Sequence, residues 1–465
     1  MLVPAATALV YREWRPLQSV LIVMALCLAL GMLMKWRKPQ NTTLYAREGL
    51  VIVSSSWIML SIMGALPFFL SGAIPSYIDA LFETVSGLTT TGSSILTDVE
   101  ALPKCLIMWR SFTNWIGGMG VLVFIMAFVS LSGGQNMHIM KAESPGPSVS
   151  KLVPRVRTTA AILYSIYLGM TVIQFIMHLL PTLWGDGMTV FEAMNTAFAT
   201  AGTGGFGFRN DSFASFSAYH QIVVTVFMLL FSINFGCYYL ILVRRFKEAF
   251  NVELRYFLVI VAAAIAIITA NTVTSGIYDS VGEALRHAAF SVATVVSTSG
   301  FATADFNLWP SLSTTILVTL MFMGACAGST GGGIKVSRII LMLRGAGREI
   351  GNMIHPRRVK RVSVDGKPVE HDAVHAVFMY LVAFAFVFFA SFLIISIDGH
   401  SFETNFTAVA ATINNIGPGL GDVGPTGNFA FFSIPSKIVL MFNMLAGRLE
   451  LFPMLVLLSP MTWKK

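Results

Sequence analysis

Four short polar stretches, each flanked by long apolar runs, constrain this chain more than anything else in it. They are Leu88-Thr89-Thr90-Thr91-Gly92-Ser93, Ala201-Gly202-Thr203-Gly204-Gly205-Phe206, Ser297-Thr298-Ser299-Gly300-Phe301 and Asn414-Asn415-Ile416-Gly417-Pro418. With Gly92, Gly204, Gly300 and Gly417 as reference points, the stretches recur at intervals of about a hundred residues, which reads as a fourfold internal repeat. Before each stretch lies a run (Ser76 to Leu88, Met188 to Ala201, Ser280 to Val296, Phe402 to Asn414) that is too short as a helix to cross a hydrocarbon core of about 30 Å. These runs read as re-entrant half-helices. Non-helical backbone at membrane depth persists only where protein buries it or a water-filled cavity receives it, so the polar stretches are expected to line a pore.

Composition supports the membrane setting. The 465 residues are 55% hydrophobic and only 12% charged, with a mean hydropathy of +0.72, whereas a soluble domain carries about 25% charged residues. The net charge of +8 follows topology and does not point to nucleic acid: 23 of the 31 Lys and Arg residues fall between the repeat units or at the end of the chain, which makes those linkers cytoplasmic. The opposite loops carry acids, among them Asp79, Glu83, Asp98, Glu192 and Glu403, and predict an acidic outer vestibule that concentrates cations. Phe82-Glu83, Phe191-Glu192 and Phe402-Glu403 place carboxylates near the starts of three half-helices, where the positive dipole end favours them. Cys27, Cys105, Cys237 and Cys326 form no CxxC pair and read as small core hydrophobes. No signal peptide with a small-residue cleavage site is visible.

The predicted architecture is an all-α integral membrane protein with four tandem units of helix, pore half-helix and helix in pseudo-fourfold arrangement around one ion pathway. An N-terminal helix pair precedes them, its first helix apparently truncated because Leu2 to Val10 is short and contains Pro4. The expected divisions are 1–48 for that pair and its cytoplasmic loop, 49–157 for unit one, 158–255 for unit two, 256–372 for unit three, and 373–465 for unit four. The paired helices are predicted as Gly49 to Leu70 with Ser111 to Ser132, Thr158 to Leu180 with His220 to Val243, Tyr256 to Tyr278 with Pro310 to Leu343, and Val374 to Ile397 with Ile438 to Leu458. Four inward-pointing half-helix C-termini place partial negative charge on the axis and favour a cation there. Carbonyls of Thr90, Thr91, Gly202, Thr203, Thr298, Ser299, Asn415 and Ile416, beside Gly92, Gly204, Gly300 and Gly417, are the candidate ion ligands.

Several motifs then carry a family resemblance. Thr89-Thr90-Thr91-Gly92, Trp109-Arg110-Ser111, Trp115-Ile116-Gly117-Gly118-Met119-Gly120, Ala327 to Lys335, Asn415 to Gly421 and Gly447-Arg448-Leu449-Glu450 resemble TrkH potassium-uptake proteins over nearly the whole chain. The resemblance implies K⁺ as the transported ion at the filter, no organic cofactor, insertion in the lipid of the bacterial inner membrane, a homodimer, and a cytosolic TrkA-type regulatory ring that binds nucleotides. Only one glycine per repeat is shared, which predicts looser selectivity than four identical loops give. Mixed K⁺/Na⁺ transport and a proton- or sodium-coupled alternating-access carrier are the alternatives; the units run in one orientation, whereas such carriers use inverted repeats. An enzyme is not expected: no nucleophile with a base, and no metal cluster, stands within the apolar runs, where His178 looks isolated.

The helix predicted across Gly324 to Lys335 is interrupted at Gly328, Gly331, Gly332 and Gly333, each costing about 1 kcal/mol relative to Ala. Packing of small residues is one reading. The resemblance favours another, an intramembrane gating loop containing Gly328, Ser329, Thr330, Gly331, Gly332, Gly333 and Lys335. No Gly-Lys-Ser/Thr follows, so a phosphate-binding loop is a poor match. Arg448 is expected mid-helix, projecting into the pathway below the filter, because a charge there costs roughly 2.5–3.5 kcal/mol without a function or partner. A buried pair with a distant acid is the alternative for Arg448, whereas Glu450, two positions on, is not placed for a local ion pair. His371 and His375, at i and i+4, lack a third ligand and read as a solvated helix end.

Overall fold

A computed structural model of the protein describes residues 1–36, 46–120, 156–355, 362–369 and 371–464. Two helices open the chain, α1 (Leu2–Tyr11) and α2 (Trp14–Trp36). Unit one follows with α3 (Ala46–Leu70), the half-helix α4 (Tyr77–Leu88) and α5 (Lys104–Gly118); the remainder of its second predicted helix, beyond residue 120, lies outside the described residues. Unit two contains α6 (Val156–Leu179), the half-helix α7 (Val190–Ala201), α8 (Ala218–Phe231) and α9 (Phe235–Leu242). Unit three contains α10 (Val252–Thr274), the half-helix α11 (Val281–Val296), α12 (Ser311–Met321) and α13 (Val336–Ile354). Unit four contains α14 (His371–Ile395), the half-helix α15 (Phe402–Ile413), α16 (Ile434–Arg448) and α17 (Phe452–Leu458). A small antiparallel hairpin, β1 (Ser363–Val364) and β2 (Lys367–Pro368), precedes α14.

Among the described residues, five helices are long and apolar enough to span a membrane, and α8 with α9 makes a sixth candidate bent by 90°. Their outward faces leave large apolar side chains such as Leu21, Ile173, Val259 and Phe386 exposed, as lipid requires. Cys27 belongs to that outer face, unlike the buried Cys105, Cys237 and Cys326, and so is not a core residue.

The second helices of units two, three and four are broken, where continuous helices were predicted for units two and four. In unit two the break spans Ser232 to Asn234, and the Asn234 side chain caps α9 by accepting the Gly236 N–H at 2.7 Å. In unit four Glu450 and Leu451 both have positive φ, of 57° and 67°. Arg448 is therefore the last residue of α16 and is not mid-helix. Glu450, turned by the break, forms a buried ion pair with Arg338 of α13, which sequence spacing along one helix could not reveal.

Candidate functional site

The four half-helices end in one repeated piece of backbone. Each closes with a Schellman pattern: Thr91 N–H donates to Ser86 O, Gly204 N–H to Ala199 O, Ser299 N–H to Thr294 O and Ile416 N–H to Ala411 O, all at 2.8–3.0 Å. The left-handed residue is Thr90, Thr203, Thr298 or Asn415, with φ of 57°, 53°, 59° and 56°. Left-handed backbone is uncommon for residues with a Cβ, and its recurrence at four equivalent places marks a constrained structure.

Two residues beyond each left-handed residue stands a glycine: Gly92 (φ 83°), Gly205 (64°), Gly300 (87°) and Gly417 (100°). Unit two thus enters one position later than the sequence register had it. Gly202 matches Thr89 as a helix cap, Thr203 matches Thr90, Gly204 matches Thr91, and Gly205 is the reference glycine. Two adjacent glycines made the register ambiguous, and backbone angle resolves it.

These glycines close a ring. A Cβ on Gly92 would run into Gly204 O, and one on Gly205 into Ser299 O. A Cβ on Gly300 would come within 2.5 Å of Ile416 O, and one on Gly417 within 2.8 Å of Thr91 O. Each unit's glycine packs against the next unit's carbonyl, and unit four returns to unit one. The left-handed φ and this close approach both require glycine. Side chains lock the ring: Ser93 Oγ donates to Gly417 O at 3.0 Å and Asn415 Nδ2 to Thr91 Oγ1 at 2.9 Å. Above it lies a vestibule of about 220 Å³ bordered by all four ring glycines and Pro418.

The vestibule differs from the acidic one expected: its charged lining residues are Arg110 and Arg209. Glu83 lies in the second half of α4 and not at its start; the acid of the first turn is Asp79, which pairs with Lys437 at 2.7 Å. Fully buried, Glu83 accepts from Arg110 Nε at 2.7 Å, from Ser94 Oγ at 3.0 Å and from the Ile95 N–H at 3.1 Å. Arg110 also donates to Gly207 O at 2.9 Å and stacks 4.1 Å from the Phe206 ring, so this pair fastens unit one to the backbone just past Gly205. Arg110 takes its role only from the fold; in sequence its signal is a Glu and an Arg on adjoining apolar helices. In the outer loops, donation from Asn210 holds the Asp98 carboxyl below the usual carboxylate range.

Below the ring, residues 322–335 leave the helical path, with Gly328 and Gly333 at positive φ. This loop fills the break in unit two: Cys326 N–H donates to Ser232 O at 3.0 Å, Thr330 Oγ1 to Phe231 O at 3.2 Å, and Phe235 N–H returns a bond to Gly328 O at 3.0 Å. Carbonyls released at the end of α8 are thereby satisfied. The loop also reaches the ring, since Gly332 N–H donates to Thr298 Oγ1 at 2.7 Å. Lys335 is buried and donates to Gly331 O and Gly332 O, folding the glycine run around its ammonium. Arg448 bridges the loop and unit one: Nη1 donates to Thr330 O at 2.8 Å, and Nη2 to Gly118 O at 2.8 Å and to Gly117 O.

His375 is exposed, as a solvated helix end would be, and no cluster of three or more His, Cys, Asp or Glu able to hold a metal occurs among the described residues. His178 is not isolated: its Nδ1 lies 3.0 Å from Nδ1 of His220, both rings are buried, and His220 Nε2 is 2.8 Å from Asp186 O.

A helical membrane protein with four half-helices closing one ring beneath an open vestibule belongs to the class of fourfold-repeat ion-pathway proteins. Residues 16–465 match the profile of TrkH, described as a cation transport protein, and the chain belongs to that family. It is 35% identical to the Trk system potassium uptake protein TrkH of Salmonella typhimurium, covering 100% of this chain and 96% of that one. It is 32% identical to the Trk system potassium uptake protein TrkG of Escherichia coli, over 100% and 95% of the two chains. The crystal structure of the potassium transporter TrkH from Vibrio parahaemolyticus superposes with a TM-score of 0.87 at 32% identity, over 100% of this chain and 96% of that one. The protein is accordingly a multi-pass protein of the bacterial inner membrane.

Proposed function

We propose that this chain takes up K⁺ across the inner membrane through the ring formed by residues 90–92, 203–205, 298–300 and 415–417. The observation that carries the reading is the cyclic contact of each ring glycine with the next unit's carbonyl, which supports four coaxial sets of carbonyl oxygens around one pathway. Such oxygens replace an ion's hydration shell, and the four half-helix C-termini add partial negative charge. Passage is driven by membrane potential and needs no covalent chemistry. The relatives named as potassium uptake proteins favour K⁺ over the mixed K⁺/Na⁺ alternative. Units 49–157, 158–255, 256–372 and 373–465 act as quarters of the pathway, with the pair in 1–48 beside them.

The loop carrying Gly328, Ser329, Thr330, Gly331, Gly332, Gly333 and Lys335 is the gate, and Arg448 holds it shut. Support comes from the loop's bond to Thr298 of the ring and from the Arg448 bridge to Gly117 and Gly118. The chain works as a homodimer under a cytosolic TrkA-type ring whose nucleotide state moves the loop. Flux of K⁺ and Na⁺ into liposomes holding the purified protein tests this reading. Gly92→Ser should lower the preference for K⁺ over Na⁺, and an unchanged ion ratio would count against the ring as selectivity filter.

A further inference from the structure

The intramembrane loop is also held from the cytoplasmic side, at a residue that the pore and the Arg448 bridge do not use. Glu253 is the second residue of α10, and its Oε1 accepts the Ala327 N–H at 2.7 Å and the Ser337 N–H at 3.1 Å. Those donors bracket the glycine run, one before Gly328 and the other just beyond Lys335. One carboxylate oxygen therefore fixes the separation of the loop's two ends. Ser337 also lies in the first turn of α13, whose N–H groups lack helical partners and favour a negative charge.

A second carboxylate stands directly behind the first. Asp365, exposed in the turn between β1 and β2, accepts the Val252 N–H at 2.9 Å through Oδ1. Val252 precedes Glu253, so the hairpin caps the same helix start that holds the loop. The hairpin is joined to α13 and α14 as well, through a hydrogen bond from Arg344 of α13 to Ser363 O and through Val362, which packs in one cluster with Leu341 of α13 and Val374 and Val377 of α14. An exposed cytoplasmic element is thus two hydrogen bonds from the loop.

Resting on the reading of the loop as a gate, we propose that Glu253 is the positioning residue that latches the loop closed, and that Asp365 couples the hairpin's position to that latch. A partner that pulls the hairpin away from α10 removes the cap on Val252, frees Glu253 and lets Ala327 and Ser337 separate. The experiment compares Glu253→Ala, Glu253→Gln, Asp365→Ala and Arg448→Ala, each in the full chain with Cys27→Ser, in liposomes without any regulatory partner. Basal K⁺ flux is read together with alkylation of Cys326, which is 1% exposed within the loop.

Glu253→Ala should raise flux and Cys326 labelling by about tenfold or more, since losing even one of its two charge-assisted bonds supplies a shift of that size. Glu253→Gln keeps an acceptor oxygen and should bring both readouts back toward the parent level, while Asp365→Ala should move both in the direction of Glu253→Ala. If Arg448→Ala raises flux but Glu253→Ala changes neither readout, the latch is wrong and the gate stands. If none of the four variants raises flux in assembled protein, the gate reading fails and the latch with it. An effect of Glu253→Ala without one of Asp365→Ala overturns the coupling to the hairpin. Should Glu253→Ala fail to assemble, Asp365→Ala, at an exposed turn, decides through Cys326 labelling.

Discussion

Replacing Arg448 by Ala removes the bridge between the intramembrane loop and unit one. Its guanidinium donates to Thr330 O on the loop and to Gly117 O and Gly118 O at the end of α5. With the loop as the proposed gate, moving it separates Thr330 from the other two acceptors, so opening breaks at least one charge-assisted bond. Such a bond is worth about 1.5–3 kcal/mol, which makes the closed state of the variant weaker relative to the open one by about ten- to a hundredfold. The assay is K⁺ uptake into proteoliposomes at fixed potential and without regulatory partner. Basal flux should rise until the open pore limits it. Flux that is unchanged or lower, in a variant that elutes as assembled protein, would show that Arg448 does not hold the loop closed; a lowered thermal midpoint alongside it would mark Arg448 as a brace of the fold.

Three further outcomes follow from the ring and its supports. Gly205→Ala should damage selectivity and assembly more than Gly204→Ala in the same flux assay, because the first puts a Cβ into backbone Ser299 O at φ 64° while the atoms nearest the second belong to the Asn114 side chain. Arg110→Ala leaves the buried Glu83 carboxylate without its cation and should cost about 3–5 kcal/mol, read as a large fall in the thermal midpoint in detergent; Glu83→Gln combined with Arg110→Met should recover most of it. Thr298→Val removes the acceptor of the Gly332 N–H, leaving a buried donor at a cost of about 1–3 kcal/mol, and should raise basal flux while lowering the thermal midpoint less than Arg110→Ala does.

The half-helices were legible in the sequence because each begins after a polar turn and ends at a polar, Gly-rich stretch; α4, α7, α11 and α15 end within one residue of the expected positions. What escaped depends on backbone angle or on distant partners. The glycines at 204 and 205 satisfy the same pattern in sequence, and only the left-handed φ of Thr203 and Gly205 separates their roles. The break at Ser232 lies in an apolar run that hydropathy passes over, and it is stabilised by a loop almost a hundred residues further on. Arg448 could be marked as a costly charge, but its acceptors at Gly117, Gly118 and Thr330 come from two other units. Glu83 and Arg110, like Arg338 and Glu450, are ion pairs between separate elements, and no spacing rule within one helix finds them.

The central claim is that one ring chooses the ion. Its most direct test is the permeability ratio of K⁺ to Na⁺ through the purified protein in liposomes, measured in the Arg448→Ala background so that the gate does not limit flux. A clear preference for K⁺ that falls when Gly92, Gly205, Gly300 or Gly417 is replaced by Ser in turn is the predicted result. Equal permeability to the two ions, or a preference indifferent to all four substitutions, would contradict it.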